Sequence, residues 1–346
     1  MNWLKNYLST MWFIWFMYRF YSHISYYVNF FNRVFSIGNW GVSFTTKELF
    51  LFLIAFYSIF LMIYYAIYKE RSTAREIISY LYSQLTSNKR KWDDEIKQSF
   101  LKAGVKFFYA PIMIFWFMGH ITSLINNLYL ITSDIWLATV NFPMFFTKHL
   151  FWNLFNLILT ADVFFFTIWY MTERDILDNK IRSAQPFAIW WIVTLMCYPP
   201  FNTLSTGVLN RYSTDFPQFT NITWTVTIWF AICLLMAIYS RASVALWPKA
   251  SNLTNRGIVA RWPYKFVRHP AYTTKNLART LWTLPIVTSF ILWWERINLF
   301  YLVISVVWRA MIYHARAITE EMHLSLDPEY IEYKKKVPYM YIPKIF

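Results

Sequence analysis

Five residues with reactive or charged side chains recur at intervals of four, three, four and three near the C-terminal end: Arg309, Tyr313, Arg316, Glu320 and His323. On a helix that turns about 100° per residue they share a stripe about 80° wide. Arg309 stands among Val306, Val307, Trp308, Met311 and Ile312. An ionisable group in such apolar surroundings faces a bundle interior or a wet cavity. A plain Arg316–Glu320 helix pair would be worth only about 0.3–0.5 kcal/mol, and Arg before Glu is the less favoured order. The continuous stripe therefore points to a site. Glu320-x-x-His323 is also half of a di-iron helix motif. A second copy is lacking and the six histidines are dispersed, so no metal is expected.

A second group lies upstream, in the run Arg256 to Tyr272, which holds Gly257, Ile258, Val259, Tyr264, Arg268, His269, Pro270 and Ala271. Pro270 suits the first position of a helix, where its missing N–H would be unpaired anyway. His269 would then sit at the cap. The free N–H groups of the next turn, with Arg268 beside them, would attract a carboxylate or a phosphate. A helix whose Arg and Lys side chains simply hold lipid phosphates is the plainer alternative. No P-loop, GxGxxG or spaced Ser-His-Asp set accompanies these groups.

The elements that must position them are read from composition. The chain has 346 residues, of which 57% are hydrophobic, 22% aromatic and only 15% charged. Soluble domains carry about 25% charge, so a soluble enzyme and a disordered chain are both excluded. Cys197 and Cys233 lie in apolar runs and form no disulfide framework. The net charge of +15 fits basic loops of a membrane protein better than nucleic-acid binding, and no nucleic-acid partner is expected.

The expected fold is an all-α, polytopic integral membrane bundle of seven or eight transmembrane helices. Residues 1–247 form an N-terminal transmembrane region, with spans Leu49–Tyr68, Phe107–Ile131, Leu150–Met171, Phe187–Leu204 and Ile222–Trp247. Met11–Phe31 is the weakest span, because it carries Arg19 and His23. Residues 248–346 form a C-terminal region that contains the hairpin Leu277–Trp294 and Leu299–Ala310, continuing to Ala315. Each strong run is near the ~20 residues needed to cross about 30 Å of hydrocarbon. Lys and Arg alternate between rich and poor connections. Lys69–Lys106 holds nine, Thr172–Pro186 three and Pro248–Asn276 six, against one in Thr132–His149 and one in Ser205–Asn221. That alternation places the rich side in the cytoplasm. The insertion 69–106 is expected to hold an amphipathic helix with Ile77, Ile78, Leu81 and Leu85 on one side.

Taken together, Tyr264-x4-His269-Pro270-x-Tyr272, Arg316-x3-Glu320-Glu321-x2-Leu324, Tyr330-x2-Tyr333 and the closing Val337-Pro338 and Ile342-Pro343 resemble the isoprenylcysteine carboxyl methyltransferase family and its phospholipid methyltransferase relatives. The likeness covers Ser251–Phe346 and leaves the first 250 residues unexplained. It implies a cytoplasm-facing methyltransferase core, S-adenosyl-L-methionine as cofactor and a lipid or lipidated acceptor within membrane lipids. It implies that His269, Pro270, Ala271 and Tyr272 form the cofactor box and that Tyr264 contacts the cofactor. Gly257, Ile258 and Val259 would close over the cofactor, Glu320 would bind it, and Arg316 would orient the substrate. Arg268 joins the set through its place beside the helix start.

A carboxylate acceptor needs no base and could be oriented by Arg316, so it is preferred over an amine. Trp262 and Thr274 stand where the family usually has Gly, which alters the expected cofactor pose. The C-terminal Val337-Pro338-Tyr339 run also resembles the end of NADPH-dependent sterol reductases. A non-catalytic transporter or assembly factor would use the Arg stripe to line a path. Oligomeric state is not legible in these residues.

Overall fold

A computed structural model describes residues 2–36, 43–68, 70–87, 89–173, 177–202, 219–292 and 296–345. The chain is mostly helical. Among the described residues five helices are long and apolar enough to cross a membrane: Thr46–Ile67, Asp94–Ser133, Phe142–Met171, Ile222–Ala245 and Arg296–Leu324. The chain divides into two compact units, Met1–Pro111 and Ile112–Phe346. The region that resembles the methyltransferases lies inside the second.

In the first unit, α1 (Asn2–Tyr21) packs on α3 (Thr46–Ile67) and α4 (Thr73–Leu85), with α2 (Ser25–Phe31) between α1 and α3 in sequence. Strands β1 (Val34–Ser36) and β2 (Ser43–Thr45) pair antiparallel just before α3. A capping box starts α3: Glu48 N–H donates to the Thr45 hydroxyl, and Thr45 N–H donates to the Glu48 carboxylate at 2.7 Å. Polar contacts join the helices where apolar packing alone would leave them free to slide. Tyr7 and Ser58 share a hydrogen bond of 2.8 Å, and the Thr10 and Tyr65 hydroxyls meet at 3.1 Å.

The expected span Met11–Phe31 is not one helix. It breaks at Ser22–Ile24, where the Ser22 hydroxyl donates back to the Arg19 carbonyl. The helix expected in the insertion is α4. Of the residues expected on its apolar side, Ile77 and Ile78 are half-buried and Leu81 and Leu85 exposed, while Ala74 and Glu76 are buried. Glu76 is held by Arg71 at 2.6 Å and by Arg90.

The second unit contains the rest of α5 (Asp94–Ser133), then α6 (Leu137–Val140), α7 (Phe142–Met171, with a π turn at Phe146–Leu150), α8 (Ala188–Leu195), α9 (Ile222–Ala245), α10 (Pro270–Leu292), α11 (Arg296–Leu324) and α12 (Pro328–Lys336). Strands β3 (Ser183–Ala184) and β4 (Thr254–Asn255) pair antiparallel. Helix α9 is central and packs on α7 and α10, while α10 packs on α11. Phe151, Trp229, Ile232, Cys233, Met236 and Ala278 form the core between them.

Helices α7 and α9 run parallel. Phe151 lies against Trp229 at 4.4 Å between ring centroids, Asp162 meets Tyr239 at 2.7 Å, and Trp169 stands 5.8 Å from Trp247. Of the expected span Phe187–Leu204, the described residues hold the helix α8. Eight residues rise about 12 Å, and Pro199 and Pro200 lack the N–H groups to continue the ladder. Leu204 lies outside the described residues. Helix α10 starts at Pro270, as its sequence indicates, and ends at Leu292. Of the expected hairpin turn Glu295, Arg296 and Asn298, the last two belong to α11, while Glu295, with Trp293 and Trp294 of the expected span before it, lies outside the described residues.

Candidate functional site

The C-terminal tail straps the start of α10. Arg268 N–H donates to the Tyr339 carbonyl at 3.0 Å and His269 N–H to the Met340 carbonyl at 2.9 Å. Thr273 donates its hydroxyl to the Tyr341 carbonyl at 3.1 Å. Residues 339–341, between the two closing Pro-containing segments noted in the sequence, thus clamp the His269 box. Glu321 ties the same place to α11. Its carboxylate accepts from Arg268 Nε at 2.6 Å, from His269 Nε2 at 3.2 Å and from Lys334 at 2.8 Å.

Arg268 also donates to the carbonyls of Val337 and Pro338. Its Nε and Nη1 thus hold tail and helix together, while the side chain also borders the cavity in which a bound carboxylate is expected beside it. Lys334 reaches Glu321 because α12 starts sharply. Pro328 is its first residue, and the Asp327 side chain accepts from Glu329 N–H at 3.0 Å.

His269, Tyr272, Arg316 and Glu320 converge from α10 and α11. The His269 and Tyr272 rings stack with centroids 5.3 Å apart and planes 5° from parallel. The Tyr272 hydroxyl donates to Glu320. The other Glu320 oxygen lies 3.8 Å from His269 Nδ1 and accepts no hydrogen bond among the described residues. The Arg316 guanidinium is layered between Tyr198 and Tyr272, 5.4 Å and 5.3 Å from their ring centres, an arrangement that favours a cation. Its terminal nitrogens donate to the Tyr198 hydroxyl at 3.2 Å and to the Asn252 side chain. Its Nε has no hydrogen-bond partner and stands 3.5 Å from Glu320.

These groups line one cavity. Gly257, Ile258, Val259, Tyr264, Arg268, His269, Ala271, Tyr272, Arg316, Glu320 and His323 all border it. The structure thus gathers the sequence-selected residues, with Pro270 set back as the helix start. Of the α11 stripe, Arg309 does not reach the cavity. It bonds back to Ser305 on its own helix at 3.2 Å. His323 meets Ser183 at 3.0 Å.

Gly257 has φ of +97°, and a Cβ there would lie 2.8 Å from Lys249 Nζ and 2.9 Å from Arg182. Glycine is needed for the backbone conformation, since the near atoms are mobile ends of long side chains. Its N–H is held by Asn255 at 2.8 Å, and Asn255 in turn donates to Asp327. Tyr264 is buried, and burial followed by the Glu320 charge pushes its hydroxyl well above the usual phenol range. It is therefore a neutral donor at physiological pH. Arg256 is buried too, and its Nη1 donates to the Asn179 carbonyl at 2.9 Å and to the Thr172 carbonyl at 3.5 Å. Its Nε and Nη2 are buried with no hydrogen-bond partner among the described residues.

Several cavity residues carry no mark in the C-terminal motifs: Asp162, Tyr198, Tyr239, Asn252, Arg256 and Lys275. One signal was available for Asp162. It is the single acid in the apolar run Phe142–Met171, and such a residue is a site candidate by default. Tyr198 and Asn252 had none, because only folding places them against Arg316. The chain matches no family model, no curated protein and no solved structure.

Proposed function

We propose that the chain is an integral membrane methyltransferase that takes its methyl group from S-adenosylmethionine and passes it to a lipid-like acceptor. The observation that carries this reading is the convergence of His269, Tyr272, Arg316 and Glu320 on a cavity also bordered by Gly257 and Tyr264.

The donor set suits the cofactor. The unbonded oxygen of Glu320 can accept from an ammonium or from ribose hydroxyls. The unpartnered nitrogens of Arg256 can donate to a carboxylate, the task first expected of Arg268. Tyr264, Leu324, Tyr330 and Tyr333 offer an apolar, aromatic wall for adenine. When bound, the cofactor supplies a methyl group on a sulfonium. The protein's share is to hold both reactants in line, which can account for much of the acceleration of a displacement at carbon. Tyr272 and the Arg316 side chain keep Glu320 from swinging, and the tail clamp keeps His269 from swinging.

A carboxylate acceptor remains the favoured nucleophile, with Arg316 Nε as the donor still open. Methylation of an amine is the second reading, and Asp162 favours it, since a carboxylate with one unbonded oxygen borders the cavity and can accept a proton. We place the cavity on the cytoplasmic side, from the Lys and Arg distribution. The five long helices, with α10 as partner of α11 and the expected crossing Phe187–Leu204, would make seven spans. The α1–α2 region would make the eighth.

Binding of S-adenosylhomocysteine to purified protein, by calorimetry in lipid nanodiscs, tests the reading. Micromolar affinity is expected, weakened by His269→Ala and Glu320→Ala. Displacement of ligand by NADPH instead would favour the reductase alternative. Flux of a substrate without methyl labelling would favour the transporter. Tritiated methyl donor added to membranes, followed by alkali, would separate esters from methylamines.

A further inference from the structure

The cavity has an inner end that the residues assigned to the donor do not use. Asp162 on α7, Tyr239 on α9, Lys275 on α10 and Tyr313 on α11 meet there. Asp162 is 4% exposed. One of its oxygens accepts from the Tyr239 hydroxyl at 2.7 Å, and the other is buried with no hydrogen-bond partner. Ser243 stands beside the same carboxyl group.

The Lys275 ammonium lies 5.0 Å from the Tyr239 ring centre and 5.9 Å from that of Tyr313. Among the described residues it forms no hydrogen bond and no ion pair. Asp162 and Lys275 border the same cavity, yet they do not approach within the 4.0 Å of an ion pair. A buried carboxylate and a half-buried ammonium that share a cavity without closing on one another are both under-partnered. A charge withdrawn from water calls for an opposite charge to complete it.

We propose that this inner end is a seat for a zwitterion. An ammonium of the ligand donates to the open oxygen of Asp162, and an acidic oxygen of the same ligand accepts from Lys275. The Tyr239 and Tyr313 rings flank the ligand, and Arg316 borders it. No bond is made or broken in the seat; it holds and orients. Asp162 and Tyr239 come from helices outside Ser251–Phe346, so the N-terminal two-thirds of the chain contributes directly to the cavity.

The zwitterion has two possible sources: the amino-acid end of the methyl donor, which rests on the function proposed above, or the headgroup of a zwitterionic amphiphile, which does not. The two are separated by probe. Full-length protein in nanodiscs is titrated with S-adenosylhomocysteine and with short-chain phosphatidylethanolamine, each also in N-acetylated form. Wild type, Asp162→Asn and Lys275→Met are compared, with thermal melts as a check on folding.

Both substitutions are expected to weaken one of the two probes by about tenfold or more and to leave the other within about twofold. Loss for S-adenosylhomocysteine assigns the seat to the donor, and loss for the lipid assigns it to the acceptor. N-acetylation of the affected probe should cost wild type a similar factor, a measurement that needs no variant to fold. If wild type binds neither probe better than its acetylated form, or if folded variants bind both probes as wild type does, the seat is refuted. Absence of S-adenosylhomocysteine binding by wild type, with the lipid arm intact, would sink the methyltransferase reading and leave the seat standing.

Discussion

Arg268 Nε lies 2.6 Å from Glu321 Oε1, and both side chains are less than a tenth exposed. This pair joins the start of α10 to α11, and each partner has a further tie. Arg268 holds two tail carbonyls, and Glu321 holds His269 and Lys334. The pair thus ties the tail, the start of α10 and α11 together beside the cavity.

Breaking it from one side should be worse than removing it. Arg268→Met leaves a buried carboxylate facing His269 and Lys334 alone, and Glu321→Leu leaves a buried guanidinium. Each single change is expected to cost about 3–5 kcal/mol, and the double change less than the sum. Equilibrium unfolding of the four proteins in one detergent measures the cycle, and strict additivity would contradict the arrangement.

Gly257→Ala should damage both fold and binding. The backbone at φ +97° is one that a side chain rarely adopts, whereas the nearby Lys249 and Arg182 ends can move aside. A loss of about 1–3 kcal/mol is expected from the strained conformation. Lys249→Ala added to Gly257→Ala should recover none of it, because the backbone term remains. A double variant that melts with wild type would contradict this.

The clamp at the tail can be removed cleanly. Ending the chain after Lys336 frees the His269 and Arg268 backbone N–H groups and Arg268 Nη1, while Arg268 Nε keeps Glu321. Helix α12 and its Lys334–Glu321 contact remain. The truncated protein should insert and stay helical by circular dichroism, yet lose S-adenosylhomocysteine binding. Unchanged affinity would show that the box holds its shape without the tail.

Asp327 gives a pH dependence whose sign can be worked out. Burial alone would raise its pKa, but the Asn255 amide, the Glu329 N–H and Arg182 outweigh that and hold it below the ordinary carboxyl value. A depressed folded-state pKa contributes stability that is fully present above the unfolded value of about 3.9 and is lost as pH falls through the folded value. Asp327→Asn keeps a capping oxygen but not the charge. At neutral pH it should therefore melt below wild type by an amount worth about 1 kcal/mol or less, since the Arg182 partner is largely exposed. The gap should close on acidification below the folded-state value. A gap that stays constant down to that pH would argue against the charged cap.

Tyr272→Phe separates orientation from packing. The ring stack on His269 would survive, while the hydroxyl donated to Glu320 would be lost. Glu320 would then be held by Arg316 alone, and donor affinity should fall by about three- to tenfold, with little change in melting temperature. A large drop in stability with unaltered affinity would reverse the assignment.

What was legible in the chain beforehand follows periodicity and side-chain type. The apolar runs near residues 49–68, 107–131, 150–171 and 222–247 predicted long helices, because a backbone in hydrocarbon has to satisfy its own hydrogen bonds. Pro270 marked a helix start for an equally local reason. The stripe Tyr313, Arg316, Glu320 and His323 needed only the pitch of one helix to share a face. Each of these is a short-range property, set by bonds between near neighbours.

The remainder depended on which helix meets which. The parallel run of α7 and α9 brings Asp162 to Tyr239 and carries both toward Lys275, three residues separated by 77 and 36 positions in the chain. Glu320 and Glu321 are adjacent in sequence, yet one faces the cavity and the other binds Arg268. Consecutive residues on a helix point about 100° apart, so only the packing of α10 and the tail against α11 decides which acid is free. By itself the sequence determined the chemical inventory and the helices that carry it. The tertiary structure decided how charges pair, because pairing is a matter of distance through space, which no local pattern encodes.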